Sequence, residues 1–274
     1  MSFIENPTTS TEFTIDNPQH AVGYWQTSIS KKIRDDDRQL LEARDLKVVK
    51  GILTRADGAV EVSCGKTLAI ATVNGPIACE KSRELPDRAT IEVGVKFRNS
   101  SQTTVNSNSP ESVLAVGLRN AFADIIASTL YPRTKIIFTV QVITDDGSLY
   151  ATAFNACMAA ALHAGLSCFR TVTAATLCHR INDEGVYELL VDPTAQEEAK
   201  AVASLTVAYA AAPHIALIGQ PSEEDSAMED NLTKNEDKLV LSATKGAWNI
   251  NALMNAMRHG ETTCMHFADI LRGE

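Results

Sequence analysis

The segment LYATAFNACMAAALHAGLS, residues 149–167, constrains the fold of this chain more than any other stretch. It reads as an alanine-rich helix that Gly165 terminates. Its apolar run, Ala151–Leu166, is broken by polar residues and is too short to cross a bilayer, which points to a soluble protein. Its small side chains let it lie close against a sheet or another helix. Strand patterns flank it. TKIIFTVQVIT (134–144) leads into a DDGS turn before it, and FRTVTAATLCHRI (169–181) and VYELLVDP (186–193) follow on either side of an Asn182–Gly185 turn.

The same alternation recurs upstream. LKVVKGILTRADGAVEVSCGKTLAIATVNGPI (46–77) predicts three strands, Lys47–Thr54, Ala59–Cys64 and Thr67–Asn74, with turns at Asp57-Gly58 and Gly65-Lys66. A fourth, Thr90–Phe97, alternates Ile91, Val93 and Val95 with Glu92, Gly94 and Lys96. These strands predict an antiparallel sheet. Ser109-Pro110-Glu111 starts a helix whose apolar stripe (Val113, Leu114, Leu118, Phe122, Ile125, Ile126) runs toward Leu130, with Pro132 as its stop. Beyond the 186–193 strand, EEAKAVASLTVAYAA gives a polar connection and a strand, KLVLSATKGAW another strand, and Ile250–Arg272 a closing helix. The order of elements predicts an α+β fold of mixed sheets packed with helices.

Outside this body lie three polar segments. Residues 1–45 read as an N-terminal extension with a short helix from Arg38 to Arg44, 99–112 as a polar loop, and 219–238 as a solvated acidic loop. The folded domain is then 46–274, in an N-terminal lobe of about 46–170 and a C-terminal lobe of about 171–274. No basic leader precedes an apolar run at the N-terminus, so no secretory signal is expected.

Charge narrows the functional classes. The formal net charge of −9 argues against an autonomous nucleic-acid binder, which needs a basic footprint. Any RNA contact has to be local or come from partners. The six cysteines (Cys64, Cys79, Cys157, Cys168, Cys178, Cys264) have no zinc-type spacing and read as reduced core thiols of a cytosolic or nuclear protein. The six histidines, with His259 and His266 beside Cys264 in the closing helix, place no three ligands on one face, so no metal or cofactor is expected. Gly65-Lys66-Thr67 ends like a phosphate loop, but the position that needs glycine is Val60. Asp145-Asp146 before the alanine-rich helix and Asp192-Pro193 in a turn are both common structural uses of aspartate.

Taken in order, DGAVEVSCGKTLAIATVNGP, ELPDRATIEV, LYPRTKIIFTVQVITDDGSLYATAFNACMAA, LVDPTAQEEAKA and KLVLSATKGAW resemble the RNase PH-type subunits of the eukaryotic RNA exosome. The resemblance covers most of the chain from about Leu46 and implies the RNase PH-like fold, of the ribosomal protein S5 domain 2-like class. Active relatives use inorganic phosphate to cleave the last phosphodiester of RNA, which requires arginines to hold two polyanions and carboxylates for proton or metal chemistry. Their D-G-G-T-R-T-A turn matches Asp145–Ala151 here, with Leu149 in the arginine slot. An aliphatic side chain supplies neither charge nor donor. Their E-D-S-x-A-E-x-D-M-N-V stretch places its two aspartates on Glu198, which keeps an acid, and Ser204, which loses one; a slip of one residue gives Ala203 with the same result. The upstream RNA-binding arginine falls near Ser109.

The resemblance thus implies a subunit without catalysis of its own, in a hexameric ring that supports 3′-to-5′ RNA processing and decay, including rRNA maturation and mRNA turnover. Its implied partners are the other RNase PH-like ring subunits, cap subunits with RNA-binding domains, a catalytic nuclease and single-stranded RNA in the channel, without a membrane. The implied locations are nucleus, nucleolus and cytoplasm. Lys81 and Arg83, in CEKSRELPDR, fall where related subunits place basic residues around the channel neck, and Arg88 suits a structural ion pair. Ring assembly would hide edge strands and apolar faces. Two other classes stay open. One is a residual phosphorolytic or metal-dependent nuclease, acting as a homodimer through Asp145, Asp146, Asp192 or Glu198 with a divalent metal. The other is an RNA-binding module outside the exosome.

Overall fold

The computed structural model of the chain describes residues 34, 36–98, 109–181, 187–211 and 239–272. Two sheets enclose one helix. The first contains β1 (Leu46–Lys50), β2 (Gly58–Cys64), β3 (Thr67–Ala78), β4 (Thr90–Phe97) and β5 (Thr134–Thr144), in the order β1-β2-β3-β5-β4. The second contains β6 (Thr171–Ile181), β7 (Tyr187–Val191), β8 (Ala203–Ala211) and β9 (Leu239–Gly246), in the order β7-β6-β8-β9. The helices are α1 (Pro110–Ile125), α2 (Leu149–His163), α3 (Ala195–Lys200) and α4 (Ile250–Arg272).

The alanine-rich segment is α2, and it packs on β2, β3 and β6, between the two sheets. Every residue from Ala151 to Ala161 is buried. Small side chains permit the approach: a Cβ on Gly58 would lie 2.3 Å from the Ala160 carbonyl oxygen. Asn155, polar in this apolar helix, donates to the Ala174 carbonyl (2.9 Å) and accepts from the Ala174 N–H (2.8 Å), so its amide is satisfied inside the core. Phe122 of α1, Phe138 of β5 and Phe154 of α2 meet with ring centroids 5.1 Å apart in each adjacent pair. The outer face of the second sheet is covered by α4, which packs on β6 and β8. No described helix is long and apolar enough to cross a membrane.

The structure corrects several local expectations. The first sheet is mixed, because β4 runs parallel to β5 across the α1 crossover. Gly51 adopts φ +77 and ends β1 at Lys50, so β1 and β2 are joined by residues 51–57, a longer connection than a two-residue hairpin at Asp57-Gly58. Asp57 instead accepts from the Gly75 N–H at 2.8 Å. Helix α1 stops at Ile125, since Ile126 turns extended and pairs with Cys168. Its start is as expected, with Ser109 capping the Ser112 N–H. Residues 38–44 are turns and extended chain, with no helix: the Leu40 carbonyl accepts from the Val191 N–H, and Arg38 and Arg44 reach Asp192. The connection after Asp192 contains α3, closed by a Thr194–Glu197 capping box. The Asn182–Gly185 turn, most of the 99–112 loop and the acidic loop 219–238 lie outside the described residues.

Candidate functional site at the start of the central helix

Three turns converge on the N-terminus of α2. The Gly65-Lys66 turn sets Thr67 at the head of β3, where its buried hydroxyl accepts from the Asp146 N–H (3.0 Å) and donates to the Gly147 carbonyl (2.8 Å). Gly147 has φ +86, and a Cβ there would lie 2.5 Å from the Pro193 carbonyl oxygen. Glycine is therefore required to let the 145–148 turn meet the 192–194 turn backbone to backbone.

At that junction, Asp192 adopts φ +50 and is 3% exposed. Arg44 grips its carboxylate with two side-chain bonds, Nε to Oδ2 (2.8 Å) and Nη2 to Oδ1 (2.7 Å), while the Arg44 backbone N–H donates to Oδ2 (2.9 Å). The same guanidinium donates to the Asp146 and Gly147 carbonyls. Cys64 adds its thiol at 3.2 Å from Oδ2. Burial alone would raise the Asp192 pKa, but the Arg44 bonds overcome it and hold the carboxyl below its usual range. Burial and the Asp192 carboxylate push the Cys64 thiol well above its ordinary value, so it is not a nucleophile. Arg34, fully buried, donates to the Val191 carbonyl (2.6 Å), to Leu40 and to the Asp192 carbonyl, and lies 3.7 Å from Glu197.

The helix start itself carries no side-chain cap: Ser148 sits in the left-handed region at φ +53, and its hydroxyl donates to the Pro193 carbonyl. Its backbone N–H donates to Glu198 Oε1 at 2.8 Å. An acid from α3 thus sits at the positive end of α2. Burial raises the Glu198 pKa, opposed by the Ser148 N–H, with Asp145 nearby adding to the rise. Asp145 accepts from the Gly147 N–H at 3.1 Å, closing its own turn in place of capping the helix. Among the described residues no group of three His, Cys, Asp or Glu is arranged to hold a metal.

The residues singled out from the sequence separate into two places. Leu149 is half-buried against the core at the first position of α2, one residue after the Ser148 N–H that Glu198 accepts. Ser204 lies on β8 between Cys178 and Lys245, its carbonyl accepting from Trp248 Nε1 at 3.4 Å, and its hydroxyl makes no hydrogen bond within the described residues. Lys81 and Arg83 sit on an exposed loop at the other end of β5, about 34 Å away by strand rise. Arg83 is 71% exposed and reaches Glu92 only at 3.9 Å. Arg88 pairs with its neighbour Asp87 at the surface, an ion pair of little energetic weight. The residues missed were Arg34, Arg44 and Thr67. Nothing local in the sequence marks them, since Arg34 and Arg44 lie in a charge-rich stretch and Thr67 opens an ordinary strand.

Residues 42–167 match domain 1 of the 3′ exoribonuclease family, RNase PH, and residues 171–247 match domain 2. The chain belongs to the RNase PH family. Mouse exosome complex component RRP41 is 32% identical over 139 residues, 48% of this chain and 57% of its own length, so the chain spans just over half of that relative. The rice (Oryza sativa subsp. japonica) exosome complex exonuclease RRP46 homolog is 26% identical over 239 residues, 87% of this chain and 94% of that protein. A crystal structure of rice Rrp46 superposes with a TM-score of 0.69 at 24% identity, covering 87% of this chain and 98% of that one, which establishes the RNase PH-like fold. The resemblance to an exosome subunit of the ribosomal RNA-processing protein 46 type is borne out.

Proposed function

We propose that the chain is a non-catalytic subunit of an exosome-type ring of RNase PH-like proteins. One observation carries the reading: the polar groups around the start of α2 are already committed to each other. Arg44 and Asp192 neutralise each other, Glu198 takes the Ser148 N–H, and the next side chain, Leu149, has no charge to offer a phosphate. Phosphorolysis has to seat two anions together, and the turn from Asp145 to Leu149 carries two acids and no cation of its own to do so. Its relatives are exosome components by name, which supports assembly with other ring subunits; cap subunits, a catalytic nuclease and a place in nucleus, nucleolus and cytoplasm belong to the same proposal.

Within the ring, Lys81 and Arg83 would guide single-stranded RNA by phosphate contacts, being exposed, on one loop, and far from the committed site. Mixing the purified chain with the other ring subunits is expected to give one stoichiometric species by size exclusion and native mass measurement. A chain that stays apart overturns the proposal.

The word exonuclease in the rice relative's name favours a second reading, a residual nuclease. Labelled single-stranded RNA incubated with the chain alone, with phosphate or with magnesium, separates the two: shortening of the RNA in either condition supports the nuclease.

A further inference from the structure

His179, on β6 and 9% exposed, is held between two other rings. Trp248 lies with its ring centroid 4.8 Å away and 46° between the planes, and Tyr187 at 6.0 Å and 30°. Among the described residues the imidazole has ring contacts and no hydrogen bond or ion pair. Trp248 is the junction between β9 and α4. Its indole Nε1 makes only a long bond, 3.4 Å, to the Ser204 carbonyl, and the first turn of α4 beyond it is open to solvent at Ile250 (77% exposed) and Met254 (52%). The stack on His179 is thus a main hold on this end of the helix.

The register shows which charges could meet a protonated His179. Leu189 of β7 and Ala203 of β8 stand opposite it, and Gly246 of β9 opposite Ala203. Ladder partners share a face and successive residues of a strand do not. Arg180, Glu188 and Lys245 therefore lie on the other face, where Arg180 and Glu188 bind each other at 3.0 Å. Helix α4 packs on His179's own face, as the bond from Thr173 to the Cys264 carbonyl shows, and Ile250–Met257 hold no titratable side chain. Beside β7, Asp36 is taken by Arg38. The chain from α3 into β8, whose Val202 N–H donates to the His179 carbonyl, brings Lys200, a cation. The positive end of α4 is a further repulsion. Burial holds the imidazole below its ordinary range, with no charge acting against it.

We propose that His179 is a proton-operated latch on the junction of β9 with α4: the neutral ring keeps Trp248 seated and the first turn of the helix docked, and the protonated ring releases both. An imidazolium is attracted to the indole face, but here it would be buried beside a helix N-terminus without an acid. The latch is complete above the unfolded-state pKa of about 6.5, and its contribution is lost as pH falls below that value.

Two measurements on the full chain test this. Proton NMR of the imidazole, identified by its nuclear Overhauser contact with the Trp248 ring, should give a titration midpoint below about 6.5 in the folded protein. Hydrogen exchange at the amides of residues 253–256, corrected for intrinsic pH dependence, should lose protection between pH 7.5 and pH 5.5. The loss should be several-fold and no more than about tenfold, the ceiling that an unfolded pKa of about 6.5 allows. His179→Phe keeps a ring against Trp248 and cannot take the proton, so its protection there should be flat over the same range. A midpoint at or above 6.5, parent amides indifferent to pH, or a folded variant that keeps the parent's pH dependence each overturns the latch. The first two readings need no variant.

Discussion

Asp192 is held by a residue 148 positions earlier in the chain, and both lie in a place where neither charge could stand alone. Replacing Asp192 by Ala leaves Arg44 buried without its counter-charge, so the expected loss is about 3–5 kcal/mol in urea unfolding. The two acids of the site should respond to pH with opposite sign. Asp192 is depressed, so its contribution is present above its unfolded pKa and is lost as pH falls through the folded value, below about pH 4. Glu198 is raised, so its contribution is present below its unfolded pKa of about 4.3 and is lost as pH rises through the folded value. Glu198→Gln keeps an oxygen to accept the Ser148 N–H and removes the buried charge. Its unfolding midpoint relative to the parent should therefore rise between pH 4 and pH 7; a relative fall would mean that the negative charge at the helix start outweighs its burial. Little of this was legible beforehand. Leu149 and Glu198 could be placed by motif, but an arginine in a charged tail and an aspartate in a turn announce nothing until the fold brings them together.

Elements were more legible than residues, because their signals are local. The alternation in Thr90–Phe97 and Thr134–Thr144 and the Ser109-Pro110 start of α1 coincide with the structure. The parallel pairing of β4 with β5 does not appear in either strand's own pattern, since it depends on where the α1 crossover returns. Helix α3 was missed although Thr194-Ala195-Gln196-Glu197 spells a capping box, because six residues are too few to show a helical period. The closeness of α2 to β2 makes a prediction at this scale. Gly58→Ala pushes a Cβ to 2.3 Å from the Ala160 carbonyl oxygen and 2.8 Å from Ala164 Cβ. Backbone must shift, and the expected cost is about 1–3 kcal/mol by denaturant midpoint, with the helix content unchanged by circular dichroism.

For the whole molecule, the net charge of −9 and the exposed loop bearing Lys81 and Arg83 make a joint prediction. The isolated chain should bind single-stranded RNA weakly. In an assembled ring, Lys81→Ala/Arg83→Ala should weaken binding regardless of RNA sequence and flatten the dependence of log K on log salt by about 1.4, two single-strand phosphate contacts; an unchanged slope would place the RNA elsewhere. The bond between Arg44 and Asp192 also bears on how the chain is made. Arg44 leaves the ribosome first and stays without its acid until Asp192 follows, about 7–30 s later at ordinary rates of synthesis. Through that interval Arg44 lacks the Asp192 turn that it binds, so the chain leading into β1 cannot dock there. The molecule closes only when its second half arrives.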